Sequence, residues 1–249
     1  VETDKTRFRP LEDTLVLRRP EPTVRPILLA LGAVAALALA GCSSDVSGTP
    51  APSGQGASPT PVAAGDADLG ALLLDPSQFP APYDAIVLPP QAIAQALPDL
   101  TGIPAGAEVS PAGCKPADPA SAALVVGTDN ANRATISIEL TTVADPLSTR
   151  EEQLKTCTEV RATKSGATST IRSTITPAPP IGADDTLAVK QTVSSGSGAD
   201  SVTQSMLTLM AQVEQTRISA TYMSFDDSAP DAATLDELFT AAVQKVKAG

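Results

Sequence analysis

The chain predicts an α+β domain: an antiparallel sheet with flanking helices, one of them a C-terminal amphipathic helix. Three observations carry that expectation. Apolar and polar residues alternate with period two through much of 134–141 and 167–222. The connections among those segments are short, as at Gly196-Ser197-Gly198 and Glu214-Gln215, which suits a meander and not parallel crossovers. Residues 230–247 then repeat Leu235, Leu238, Phe239, Ala242 and Val246 at helical spacing. The chain divides into a leader at 1–41, a linker at 42–67 and a single domain at 68–249.

The leader contains an apolar run of 14 residues at 27–40. A bilayer span takes about 20, so this length fits the h-region of a signal peptide. Arg18, Arg19 and Arg25 give it a positive flank. Pro20-Glu21-Pro22 follows the arginine pair, which is read as ordinary n-region charge and not a twin-arginine signal. Val24 is as good a start as Val1, and residues 1–23 are read as mis-annotated or cytosolic leader. The run ends in Leu39-Ala40-Gly41-Cys42, which resembles the lipobox of bacterial lipoproteins. The resemblance implies cleavage between Gly41 and Cys42 and a lipid on the Cys42 thiol. More than one acyl chain holds a protein at a membrane firmly, where a single chain is marginal. Residues 43–66 carry Pro50, Pro52, Pro59 and Pro61 among Gly, Ser, Thr and Ala, with no apolar periodicity. Extended Pro-rich chain of that length reaches roughly 70 Å, so the stretch reads as a spacer.

The domain begins near Asp68, an N-cap for a short helical face of Leu69, Leu72 and Leu73 that Pro76 and Pro80 end. Ile86-Val87-Leu88 is extended, Pro89-Pro90 stops it, and Gln91 to Leu97 allow one or two helical turns. Residues 101–119 read as a loose Pro/Gly-rich segment carrying Cys114. Residues 122–127, the turn Asp129-Asn130-Ala131-Asn132, and the alternation Ile136, Ile138, Leu140 make a hairpin with one buried face. Asp145-Pro146 is read as N-cap and first turn of a helix whose Leu147, Leu154 and Cys157 point inward.

Four strands follow, with Ile171, Ser173 and Ile175 on one face of the first and Leu187, Val189 and Val193 on one face of the second. Leu207, Leu209, Ala211 and Val213 share a face of the third, with Met206 and Met210 behind, although its Leu/Met/Gln content also suits a helix. Ile218, Ala220 and Tyr222 share a face of the fourth. The closing helix has Pro230 in its first turn, acids near its start and Lys245 and Lys247 near its end.

Composition excludes several chemistries. The chain has no histidine, so Ser-His-Asp and Cys-His activation and histidine-ligated metals are excluded. It carries a net charge of −11, and residues 43–249 hold 23 acids against 11 bases, which disfavours nucleic acid and anionic headgroups as partners. With Cys42 acylated, Cys114 and Cys157 remain, and two leftover thiols outside the cytoplasm read as one disulfide. A metal site is the weaker alternative, since two cysteines without histidine make no usual zinc shell. No nucleophile elbow, phosphate loop or dinucleotide fingerprint occurs, and no cofactor or catalytic residue is assigned. Asp184-Asp185 and Asp226-Asp227 read as solvated strand-end turns. Cation binding by Asp226, Asp227 and Asp231, or a Lys164/Ser165 centre, has little support. Met206, Met210 and Met223 lie on neighbouring expected strands and, with Tyr83 and Tyr222, are candidates to line an apolar ligand cleft; core packing is the competing reading.

Several stretches together resemble mycobacterial envelope lipoproteins related to the extracellular sensor domain of a Ser/Thr kinase (PknH-like). They are the lipobox and spacer, Leu72-Leu73-Leu74 ahead of Phe79-Pro80-Ala81-Pro82-Tyr83, Cys114, Cys157, Gln204-Ser205-Met206-Leu207, Thr221-Tyr222-Met223-Ser224, and Leu235 through Val246. The resemblance spans 68–249 and implies an α+β domain with a ligand cleft and no catalytic residue. The kinase sensor has two disulfides where this domain has cysteines for one. The expectation is an envelope lipoprotein, held outside the membrane by its anchor, that binds a small ligand without catalysis. The alternative is an accessory lipoprotein docking onto an envelope partner, and a histidine-free hydrolase stands third.

Overall fold

The computed structural model describes residues 68–196, 201–225 and 229–249. The leader, Gly41 and Cys42, the spacer, and Asp226-Asp227 all lie outside the described residues. Nine strands form one antiparallel sheet: β1 (Asp84–Val87), β2 (Glu108–Ser110), β3 (Ala122–Asp129), β4 (Ala134–Thr142), β5 (Glu159–Lys164), β6 (Ala167–Thr176), β7 (Asp185–Ser195), β8 (Val202–Val213) and β9 (Thr216–Ser224). Their order is β1-β3-β4-β9-β8-β7-β6-β5-β2. Four helices join them among the described residues: α1 (Leu69–Leu72), α2 (Pro90–Thr101), α3 (Leu147–Thr156) and α4 (Ala232–Ala248).

From β6 to β9 the chain is the expected meander, and β5 extends it at one end. Two-residue turns close β5–β6 and β8–β9, with Ser165, Gly166 and Glu214 at positive φ, the backbone that tight hairpins use. The segment open to a helical reading is strand β8, held on both sides: Met206 faces Met223 on β9 and Gln191 on β7. Ladder hydrogen bonds on two flanks outweigh the few tenths of a kcal/mol by which Leu and Met prefer helix.

Period-two geometry sorts the side chains onto two faces. One carries Ile136, Ile138 and Leu140 of β4, Leu209 and Ala211 of β8, and Ile218, Ala220 and Tyr222 of β9. Helix α4 lays Leu235, Leu238, Phe239, Ala242 and Val246 against it, each 9 % exposed or less. Asp231 caps α4 by accepting from the Thr234 N–H (3.2 Å), so Pro230 precedes the helix instead of sitting in its first turn. Asp68 caps α1 as expected, accepting from Gly70. Leu69, Leu73 and Leu74 join the same core.

The opposite face is covered too, which corrects the expectation of a hairpin with one buried face. The connection from β1 to β2 carries α2 from one edge of the sheet to the other, and that from β4 to β5 carries α3 past four strands. Leu100 of α2 and Ile103 just beyond it pack with Ile171, Val193, Met206 and Met223, while Leu147 and Leu154 of α3 pack with Leu187, Val189 and Met210. Ser137, Thr208 and Thr221 are therefore buried although their alternation reads as solvent-facing. They satisfy one another: the Thr208 and Thr221 hydroxyls lie 3.1 Å apart, and Ser137 Oγ donates to the Thr221 carbonyl.

Other expectations shift in detail. Helix α2 runs 12 residues, through Pro98, and ends at Gly102 in the left-handed region (φ 72°). A Cβ on Gly102 would lie 2.5 Å from Val193 Cγ2, so the close approach of α2 to the sheet demands glycine there. Pro146, not Asp145, occupies the N-cap of α3, and no side chain caps it. The loose segment at 101–119 contains β2, which pairs with β5. Strand β5, with Arg161 and Lys164 among its residues, gave no alternation strong enough to expect.

Candidate functional site

The five residues proposed to line one cleft fall in three separate core clusters. Tyr83 and Tyr222 lie in the core beneath α4, 6 % and 5 % exposed. The Tyr83 hydroxyl donates to Asp231 Oδ2 (3.2 Å); burial, then the Asp231 charge, pushes its pKa far up. Met206 and Met223 are cross-strand partners on the opposite face, within the cluster around the disulfide. Met210 belongs to the cluster under α3. A nine-stranded sheet separates the tyrosines from the methionines because odd and even positions of β9 point to opposite faces. All five are packed core residues.

Cys114 and Cys157 are bonded, with Cα atoms 5.6 Å apart. The bond joins the end of α3 to the return from β2 to β3, and Gln153 Nε2 reinforces it by donating to the Gly113 and Lys115 carbonyls. The acid pairs and the Ser-Lys pair do not converge. Asp184 Oδ2 accepts from the Glu214 N–H, Asp185 Oδ1 from the Thr186 N–H, and Lys164 and Ser165 are exposed at the β5–β6 turn. Among the described residues no group of three or more Cys, Asp or Glu is arranged to hold a metal ion.

A charged cluster unmarked in the sequence lies between α3 and the sheet. Arg150 falls on the inward stripe of α3, three residues after Leu147 (1 % exposed) and four before Leu154 (4 %). Arg217 on β9 and Glu139 on β4 are a diagonal pair in the β4–β9 register, and Arg217 is the charge that acts on Arg150. All three are half-buried. Arg217 Nη2 donates to the Asp145 carbonyl (3.0 Å) and to Gln212 Oε1 (3.1 Å), while its Nε is buried without a hydrogen-bond partner among the described residues. Arg150 donates to Gln153. No ion pair among the described residues includes any of the three.

Burial holds both guanidinium pKa values below their ordinary level, and the Arg217 charge lowers that of Arg150 further. Burial also pushes the Glu139 carboxyl up to about 7 against the opposing pull of Arg217. A charge on an otherwise apolar helix stripe was the available signal for Arg150. Glu139 and Arg217 carried none, because their face reads as solvated until the crossovers cover it.

Two cavities lie elsewhere on the domain. One, of about 360 Å³, sits between Ile181 and Val243 of α4; the other, of about 480 Å³, lies beside Leu154, Arg172 and Ile175. Strand β1, an edge of the sheet among the described residues, exposes Ile86 (61 %) and Val87 (50 %). No described helix is long and apolar enough to cross a membrane.

No family model matches the chain, and no curated protein matches it. Solved structures similar to it include two from mycobacteria. The extracellular domain of PknH from Mycobacterium tuberculosis shares 14% identity, with 72% of this chain and 94% of that one covered and a TM-score of 0.45. An uncharacterised Mycobacterium smegmatis protein, the Rv0999 ortholog, shares 16% identity, covers 69% of this chain and 92% of its own, and has a TM-score of 0.42. The first is the class of domain the sequence resembles. The fold is defined by the strand register above.

Proposed function

We propose that this chain is a lipid-anchored, extracytoplasmic protein whose sensor-like domain binds a small ligand without catalysis. The observation that carries the reading is the Cys114–Cys157 bond, which belongs to an oxidising compartment. It agrees with the Leu39-Ala40-Gly41-Cys42 step, the feature from which acylation is inferred. The binding element is the α2/α3 face of the sheet, where half-buried charges have no ion-pair partner among the described residues. The α4 face is filled by Phe239 and its neighbours. Labelled palmitate should enter the parent chain and not Cys42→Ala, and the variant should leave the membrane fraction. Absence of label, with both forms fractionating alike, overturns the tether.

A second reading is docking onto an envelope partner. It is favoured by β1, an edge strand among the described residues that exposes Ile86 and Val87. A photo-cross-linker at Val87 should give one discrete adduct in intact envelopes if a partner strand extends the sheet there, and none if the edge is bare.

A further inference from the structure

We propose that the cavity beside Leu154 and Ile175 is a notch in the sheet that takes a short, extended, positively charged peptide, bound by main-chain pairing to β6. The inference deepens the binding reading above by naming the class of ligand, and it rests on that reading and not on the tether. Strand β6 runs ten residues and its neighbour β5 only six, so their ladder stops at the Arg172–Glu159 pair. One further backbone bond, from the Ser173 N–H to the Thr158 carbonyl (2.9 Å), ends the contact. The chain before Thr158 leads back into α3 and offers β6 no more strand. Backbone groups alternate sides along an antiparallel strand, so the Ile175 N–H and C=O point the same way as the Ser173 N–H. Strand β7 takes the other side, where Thr174 faces Lys190 and Thr176 faces Ala188. Neither backbone group of Ile175 has a hydrogen-bond partner among the described residues on the side that β5 leaves open.

The gap left there is the cavity of about 480 Å³, within the roughly 300–1,000 Å³ of small-ligand sites. Leu154 and Ile175 make its apolar floor, and Thr158 and Thr174 add hydroxyls to its wall. An extended peptide laid in the notch continues the line of β5, exchanges a pair of hydrogen bonds with Ile175 and sets one side chain on that floor. Its charge follows from the surroundings. Both cations that line the cavity are engaged: Lys155 with Glu151 (3.0 Å) and Glu152 (2.7 Å), and Arg172 with Glu159 (2.9 Å), which Arg161 also approaches (3.6 Å). An acidic ligand therefore finds no open cation. The C-terminal end of α3 borders the notch, and residues 43–249 hold 23 acids against 11 bases. Such a field draws a cationic peptide and repels an acidic one.

The test is amide NMR of the isotopically labelled full chain, titrated with a lysine–valine–lysine–valine peptide capped at both ends. The glutamate–valine counterpart is one control, and the basic peptide with its backbone nitrogens methylated is the other. The basic peptide should shift the Ile175 amide and slow its exchange with water, with smaller shifts at Leu154 and Thr158. At low ionic strength the acidic peptide should bind at least about tenfold more weakly. Methylation should weaken binding about fivefold or more, because it removes the main-chain donors. Thr158→Trp places bulk at an exposed position on the cavity wall, so it should abolish binding and leave the melting midpoint at the parent's value. The proposal is overturned by an Ile175 amide that the basic peptide leaves unmoved, by equal binding of the acidic or the methylated peptide, or by a Thr158→Trp variant that binds as the parent does. Shifts confined to other parts of the α2/α3 face overturn the notch and leave the broader binding reading standing.

Discussion

Glu139 sits between Ile138 and Leu140 on a strand whose two faces are both covered, and that placement gives it a measurable pH signature. In the unfolded chain it ionises near 4.5, while in the folded domain burial holds it protonated up to about 7. Below 4.5 both states are protonated and burial of the carboxyl costs little. As pH rises through that window the unfolded chain releases a proton that the folded one keeps, so stability falls, then levels above 7. The loss is on the order of 3 kcal/mol. Denaturant titration at pH 4, 6 and 8 should show this decline in the parent and a flatter profile in Glu139→Gln. A parent whose stability rises across that interval would place the carboxylate in a favourable ion pair instead.

Gly127 makes a second prediction at this scale, since a Cβ there would lie 2.6 Å from Phe79 Cδ1 and 3.1 Å from Tyr83 Cβ. Gly127→Ala should destabilise by about 1–3 kcal/mol through overpacking, read as a lower denaturation midpoint with an unchanged slope.

Among the elements, α4 is the one whose sequence pattern and structural role coincide. Its stripe closes the core over β4, β8 and β9, and Phe239 at its centre has no exposed surface. Phe239→Ala should cost about 3–5 kcal/mol, and a melting curve close to the parent's would reject this packing. Helix α3 is the contrasting case. Its polar composition makes a weak pattern, and only Leu147 and Leu154 are deeply buried, yet it carries both Arg150 and the link to Cys157. An element with so little apolar surface is held by what its ends are tied to: the Asp145 carbonyl receives Arg217 at one end, and the disulfide fastens the other.

Across the whole molecule, the disulfide spans connections that local packing holds poorly. It closes a loop of 43 residues' separation around β3, β4 and α3, joining the end of one crossover to the return of another. Chain entropy gives such a closure on the order of 4 kcal/mol. Reduction, or a Cys114→Ser/Cys157→Ser pair, should lower stability by about that amount and release α3 before α4. Hydrogen exchange resolves the order, and simultaneous loss of both helices would contradict it.

Local sequence was enough for the meander, the β3–β4 hairpin, the closing helix and the Cys114–Cys157 pairing, because each rests on interactions within or between adjacent segments: period-two and helical alternation, Asn/Asp/Gly turns, and a count of available thiols. The fate of the second sheet face was decided by tertiary structure. Whether Ser137, Thr208, Thr221 and Glu139 meet water depends on where α2 and α3 cross, and those crossovers connect strands far apart in the chain. The same long-range closure half-buried Arg150 and Arg217, which local sequence leaves as scattered surface charges. It also divided Tyr83 and Tyr222 from Met206, Met210 and Met223, since a strand's alternation sorts residues into two sets and only the packed layers determine what each set faces.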